Sequence, residues 1–184
     1  TFLRRVPGRL GDRLEGENVA APGAGPPVHV HHHQEETLTV DEGRIGYQTL
    51  GEAPRYAGPG ETVSFPPGVA HRWWNAGDTP LRCHGHIEPA DNVEYFLGAI
   101  YDARRRGGAR PDPFDAAFLA RRYRSEFALL EIPALVQRLV FPVVVAVGRL
   151  LGRYARYADA PEPVRRPRPR AAAPIPGRAA PTGA

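Results

Sequence analysis

Two stretches, Gly23-x5-His29-x-His31-x4-Glu36-x6-Gly43 and Gly60-x5-Pro66-x-Gly68-x2-His71-x3-Asn75, constrain the fold of this chain more than any other feature. Side chains on a β-strand alternate between faces, so His29 and His31 point the same way, and Glu36 follows after a gap long enough for a bend. His71 arrives 40 residues after His31, beyond a Pro66-Pro67-Gly68 turn, and only tertiary folding can bring it across. Three neutral imidazole nitrogens and one carboxylate suit iron(II), manganese, nickel, cobalt, copper or zinc. A six-coordinate ion held by four such donors keeps two positions for water, oxygen or substrate.

Around these residues the chain punctuates like an all-β core. Residues 37–40, 44–50, 62–65, 71–75 and 81–87 are short, rich in β-branched and aromatic side chains, and separated by Gly, Pro and Asp. Short strands at this spacing predict a sandwich or barrel. Residues 76–80 read as a hairpin loop that lays the strand from Leu81 beside the strand that holds His71. Cys83 shares a face with Leu81 and Ile87, while Arg82, His84, His86 and Glu88 share the other, so Cys83 is expected to border a pocket and His84 and His86 to face outward. Strand parity with His71 assigns Trp73 to the cavity and leaves Trp74 to pack on a helix or a partner subunit. Tyr47, Ile45 and Phe65 are further candidates for an apolar lining. A competing register uses His33, and the run His31-His32-His33 with Glu35 beside Glu36 keeps it open; we favour His29, His31 and Glu36, reading His32 and His33 as solvated turn residues or donors to the ligands.

Both stretches resemble the two signature motifs of the cupin superfamily, and the resemblance covers residues 12–90 or thereabouts. It implies that His29, His31, Glu36 and His71 bind the metal, that Gly43 closes the first motif as an inter-strand turn, and that Gly23, Gly60, Gly68 and Asn75 are scaffold residues. It also implies an antiparallel double-sheet jelly-roll barrel with the metal in its mouth. Two functions follow from the resemblance and the ligand set. The first is a mononuclear oxygenase in which iron(II) activates dioxygen toward a small aromatic or enol-bearing substrate and Glu36 shuttles a proton. The second is a non-catalytic barrel that holds a small ligand for sensing or storage.

Past Pro89 the periodicity changes, so a β-barrel domain is expected at 1–90, a helical extension at 91–157 and a disordered tail at 158–184. Val93, Phe96, Leu97, Ile100 and Tyr101 form one helical face ending at Gly107-Gly108. Asp112 at the N-cap, Pro113 in the first turn and Asp115 in the capping-box position predict a second helix, with Phe114, Ala117, Phe118 and Phe127 on its apolar side. Residues 132–157 form a basic amphipathic helix on a wheel: Arg138, Arg149, Arg153 and Arg156 fall within about 60° of one another, opposite Leu139, Val140, Val143, Val147, Leu150 and Leu151. Its uncharged run is too short for a bilayer span of about 20 residues, and Pro142 should kink it or mark its start. Docking on the barrel or a second subunit, an anionic membrane surface and a partner protein are the uses such a helix serves. The remainder is rich in Pro, Ala and Arg and lacks the apolar content to offset ordering entropy.

The length and the apolar fraction of 42% fit one core. The lone Cys83 excludes an internal disulfide and suits a reducing cytoplasm, and the N-terminal stretch lacks the pattern of a signal peptide. The first residue is Thr, as expected of a fragment or processed form. Residues 1–100 carry eight Arg against thirteen acidic residues, a net of −5, while residues 101–184 carry sixteen Arg against seven, a net of +9. Every cation is Arg, which we read as the base composition of a bacterial genome. Nucleic acid is disfavoured as a partner because the tail arginines lack interleaved aromatic residues.

Overall fold

The computed structural model describes residues 3–108 and 111–166 of the chain. Ten strands form two antiparallel sheets: β1 (Leu3–Pro7), β2 (Asp12–Ala20), β3 (His29–His31), β4 (Glu35–Glu42), β5 (Ile45–Thr49), β6 (Arg55–Ala57), β7 (Thr62–Phe65), β8 (His71–Asn75), β9 (Leu81–Glu88) and β10 (Phe127–Leu129). One sheet runs β1-β2-β9-β4-β7 and the other β10-β3-β8-β5-β6. The strict alternation in β7 and β8 buries Val63, Phe65, His71, Trp73 and Asn75 between the sheets. There they meet Leu38, Val40, Ile45, Leu81 and Cys83 in one apolar core.

Residues 76–80 do not form the expected hairpin. β8 and β9 belong to different sheets, so the loop carries the chain across the sandwich. Asn75 makes that crossing: its side-chain amide donates to the carbonyls of Ala20 (2.8 Å) and Thr79 (2.7 Å), and its Oδ1 accepts from Gly77 N–H (2.9 Å). Gly43, at φ +87°, turns the chain between sheets after β4. Each sheet also keeps its own edge strands, so the two face each other as an open sandwich rather than the closed barrel expected from sequence.

Helices cover one end. α1 (Val93–Gly107) and α2 (Pro113–Arg122) pack Val93, Leu119 and Tyr123 against Leu14 and Phe127. Asp112 caps α2 as expected, accepting from Phe114 N–H at 2.9 Å. Phe127 is not on α2, which ends at Arg122. It opens β10, an edge strand whose Cα partner for Phe127 is His31. Its aromatic and apolar neighbours suit a half-buried strand as well as a helical face, and the unpaired edge of β3 decides between them.

Pro142 lies in the first turn of a helix, as expected, and the stretch 132–157 is not one continuous helix. Pro142 lacks the N–H that Arg138 C=O would accept, and the turn before it (Val136–Val140) widens so that Phe141 N–H bonds to Val136 C=O. α3 (Phe141–Leu150) then ends at Gly152, φ +66°. The chain folds back so that Arg153 pairs with Asp112 (2.9 Å) and Arg156 with Asp115 (3.3 Å). Asp115, 3% exposed at its side chain, also binds Arg106, which makes it a latch between helices.

Residues 158–166 are ordered rather than part of a disordered tail, because the half-buried Arg122 and the buried Tyr123 and Glu126 capture their backbone. Arg122 donates to Ala160 C=O, Tyr123 to Pro161 C=O, and Glu126 accepts from Val164 N–H at 2.9 Å. The expected disorder of 167–184 falls outside the described residues. Glu126 is fully buried and also accepts from Asn92 N–H (3.2 Å) and the Asn92 amide (2.8 Å). Glu126→Ala would leave the backbone N–H groups of Asn92 and Val164 without their acceptor, so chemical denaturation should show a loss of about 2–3 kcal/mol.

Candidate metal centre

The centre is assembled across the sandwich, with three imidazoles from one sheet and a carboxylate from the other. His29 and His31 lie on β3, His71 stands opposite His29 on β8, and Glu36 reaches over from β4, where its Cα partners are Phe65 and Ile87. The Glu36 Oε2 oxygen lies 3.5 Å from His29 Nε2, 3.2 Å from His31 Nε2 and 3.1 Å from His71 Nε2. One donor atom from each of the four residues falls within 4.8 Å of all the others. All four side chains are largely buried, His29 being the most exposed at 14%.

Hydrogen bonding behind the rings decides what faces the centre. His29 Nδ1 lies 2.8 Å from Pro27 C=O and His71 Nδ1 lies 2.9 Å from Val69 C=O, in each case the carbonyl two residues upstream. A carbonyl only accepts, so both Nδ1 atoms carry the proton, and in the neutral ring Nε2 presents a lone pair to the centre. Lone pairs converging on a carboxylate repel one another unless a proton or a cation lies among them. The donor set therefore fits a divalent transition ion, whose ligands would be His29, His31, Glu36 and His71.

Without a metal, protons share that role. Burial opposes charge on Glu36, but the three imidazoles outweigh it and hold its carboxyl well below the usual range. Burial also disfavours a charged His29, yet Glu36 and the Pro27 carbonyl raise its pKa above the ordinary 6.5. At His31 burial wins, aided by the neighbouring histidines, and the pKa is lowered. A metal must displace the His29 proton. Affinity should therefore fall about tenfold for each proton displaced per pH unit as pH drops through the raised His29 pKa. The sign can be checked by thermal denaturation: the gain in Tm on adding metal should be larger at pH 8 than at pH 6.

Aromatic rings enclose the donors. Phe65 stacks on His71 at 3.9 Å between centroids, Phe127 meets His31 edge-on at 5.4 Å, and Tyr47 packs against Phe65. Trp73 does more than wall the site, since its indole N–H donates to Glu36 Oε1 at 3.2 Å and so orients the carboxylate. Trp74 lies on the opposite face over Gly46, beside Tyr56 and Arg72, and packs on its own sheet rather than on a helix. Cys83 is buried in the core below the centre, and burial, with the charges of Asp41 and Glu36, pushes its thiol up to about 11. It stays protonated and stands outside the converging donors. His33 is buried rather than solvated, and it too lies outside the cluster. His84 is exposed and pairs with Asp41 at 2.7 Å.

Sequence reasoning missed Phe127, which it assigned to a helix, and the Pro27 and Val69 carbonyls. The shared spacing of those carbonyls, two residues before a histidine, was the available signal.

Two facing antiparallel sheets with a three-histidine, one-glutamate cluster between them define a metal-binding β-sandwich domain. The Cupin domain family model matches residues 18–86, and this part of the chain belongs to the cupin superfamily. The chain is similar to the oxidoreductase iacF of Pestalotiopsis fici, at 28% identity over 54% of each chain, so it spans about half of that relative's length. Among solved structures it is similar to a cupin 2 conserved barrel domain protein from Salinispora arenicola (26% identity, 52% of this chain and 82% of that one, TM-score 0.40). Another is a double-stranded β-helix protein from Klebsiella pneumoniae (25% identity, 48% of this chain and 76% of that one, TM-score 0.41).

Proposed function

We propose that the protein binds one divalent transition metal, iron(II) in preference, through His29, His31, Glu36 and His71, and acts as an oxygenase on a small apolar or aromatic molecule. The observation that supports this most is the convergence of three Nε2 atoms on one oxygen of Glu36. When bound, the metal would supply Lewis acidity and one-electron chemistry toward dioxygen and substrate. The chain's own residues do the rest. The Pro27 and Val69 carbonyls fix the tautomers of His29 and His71, and Trp73 holds one carboxylate oxygen of Glu36 while the other faces the three imidazole nitrogens, so a proton shuttle through Glu36 requires that oxygen to leave them. Phe65 and Phe127 exclude water from the far side of the rings, which favours an uncharged substrate over a phosphorylated one. Similarity to a protein named as an oxidoreductase is in keeping with redox chemistry.

The alternative is a non-catalytic domain that binds a small ligand. The enclosure of Glu36, pinned at both oxygens and only 7% exposed, favours it. Metal analysis of protein purified without added metal, followed by oxygen uptake with iron(II) restored and a panel of flavonols, catechols and diketones, separates the two. Uptake that vanishes in His71→Ala supports the oxygenase; ligand retained in stoichiometric amount with no uptake supports the binding protein.

A further inference from the structure

Residues 32–34 join β3 to β4, and so join His31 to the strand that carries Glu36. With so short a connection, its course sets where Glu36 stands relative to the histidines. β3 cannot fix that course alone. It shares one Cα pair with β8, His29 with His71, whereas each of its three residues pairs with β10, the edge strand that follows α2.

Two acidic residues grip the connection from outside. The Glu126 carbonyl accepts from His32 N–H at 2.8 Å, and the Asp91 carboxylate accepts from the Gln34 amide at 3.3 Å. Gln34 and Glu126 are fully buried. Asp91 is held at φ +40°, a conformation that a residue other than glycine keeps only when its surroundings impose it. Both grips end on one stretch of chain, since Val164 N–H donates to Glu126 Oε1 at 2.9 Å and Arg166 donates to both oxygens of Asp91 at 2.8 Å. Arg122 fastens the start of that stretch through the carbonyls of Ala160 (2.8 Å) and Pro161 (3.0 Å). All of these gripping residues lie beyond 18–86, the part matched to the cupin family.

We propose, building on the metal-binding role of His29, His31, Glu36 and His71, that Glu126 and Asp91 are positioning residues for the centre and that docking of residues 160–166 sets their grip. With the segment docked, residues 32–34 are held at both His32 and Gln34, and His31 and Glu36 stand within reach of one ion. With the segment released, both grips loosen and the donors spread. An ion that prefers the first state stabilises it, and coupling of this kind acts equally in both directions. Metal uptake protects the segment, and loosening the segment weakens the metal.

Both directions can be measured on the full chain with zinc(II) as the probe. Hydrogen exchange with and without zinc(II) should show the Val164 amide slowed by the ion, and this amide is diagnostic because it lies outside the centre. The Glu52 amide, which bonds to Thr49 C=O in the turn after β5, should exchange as before. The double variant Arg122→Ala, Arg166→Ala alters no ligand and no residue of 32–34. It should bind zinc(II) about tenfold more weakly in a competition titration, at a temperature where circular dichroism shows it fully folded. A role in stability alone would lower Tm and leave that affinity unchanged. Equal affinity in variant and parent, or a Val164 amide that the ion does not slow, would overturn the coupling and leave the centre standing. The exchange measurement needs only the parent chain and decides the matter if the variant does not fold. A parent that takes up no zinc(II) would overturn the reading of the centre, and the coupling with it.

Discussion

His71→Ala is expected to bring the metal content of the purified protein close to zero, with metal affinity reduced by about 100-fold or more. His71 Nε2 is one of four donors within 4.8 Å of one another, and three donors remain after its loss. The ring is also 1% exposed and stacked on Phe65, so its removal opens a cavity and costs about 2–3 kcal/mol of stability. Glu36→Gln separates these two effects, because the amide keeps the shape of the side chain while removing the charge that balances a divalent ion. It should lose metal as fully as His71→Ala with a smaller fall in Tm. Trp73→Phe removes only the N–H that orients Glu36 Oε1, and its loss should lie within the 10–100-fold that follows removal of a partner behind a ligand. His84→Ala, on the exposed surface beside Asp41, should bind metal as the parent does. Elemental analysis and competition titration order the four variants. Full metal content in Glu36→Gln would remove the centre as proposed.

The second large effect is predicted where no chemistry takes place. Gly85→Ala should lower stability by about 3 kcal/mol or more, or about 6–12 °C in Tm for a chain of this size. Gly85 lies on β9, between β2 and β4, and a Cβ there would sit 2.0 Å from the Thr37 carbonyl oxygen. Both sides of that contact are backbone, so neither can swing away and the β4–β9 ladder must part. Thr37 is the residue after Glu36, and metal affinity should fall with stability. Gly98→Ala on exposed α1 is the control. Nothing lies within 4 Å of its added Cβ, and the substitution should stabilise by up to about 1 kcal/mol. A Gly85→Ala protein that melts with the parent would show that the two strands have more room than their spacing implies.

The residues of the centre were legible in the sequence because their constraint is local. His29 and His31 share a face by strand parity, Trp73 follows His71 onto the same face, and the turns at Gly43 and Gly68 need positive φ. Five of the core strands were placed to within two residues of their ends, since alternation and Gly/Pro punctuation act over neighbouring positions. Asp112 and Pro113 announced the start of α2 for the same reason.

Other features depend on partners distant in the chain. Whether residues 76–80 close a hairpin or cross between sheets is decided by which edges β8 and β9 find, and the loop composition is the same either way. Phe127 became a strand residue because β3 offered an open edge, and residues 158–166 were ordered by Arg122, Tyr123 and Glu126 more than 35 positions upstream. The wheel of 132–157 gave the two faces of α3 but not their direction. Asp112 at the cap of α2 and Asp115 within it drew Arg153 and Arg156 inward, and the leucines and valines face out. Local spacing thus determined which side chains are metal donors and which share a face. Long-range pairing, where hydrogen-bonding edges and buried charges compete for partners, decided where those faces point.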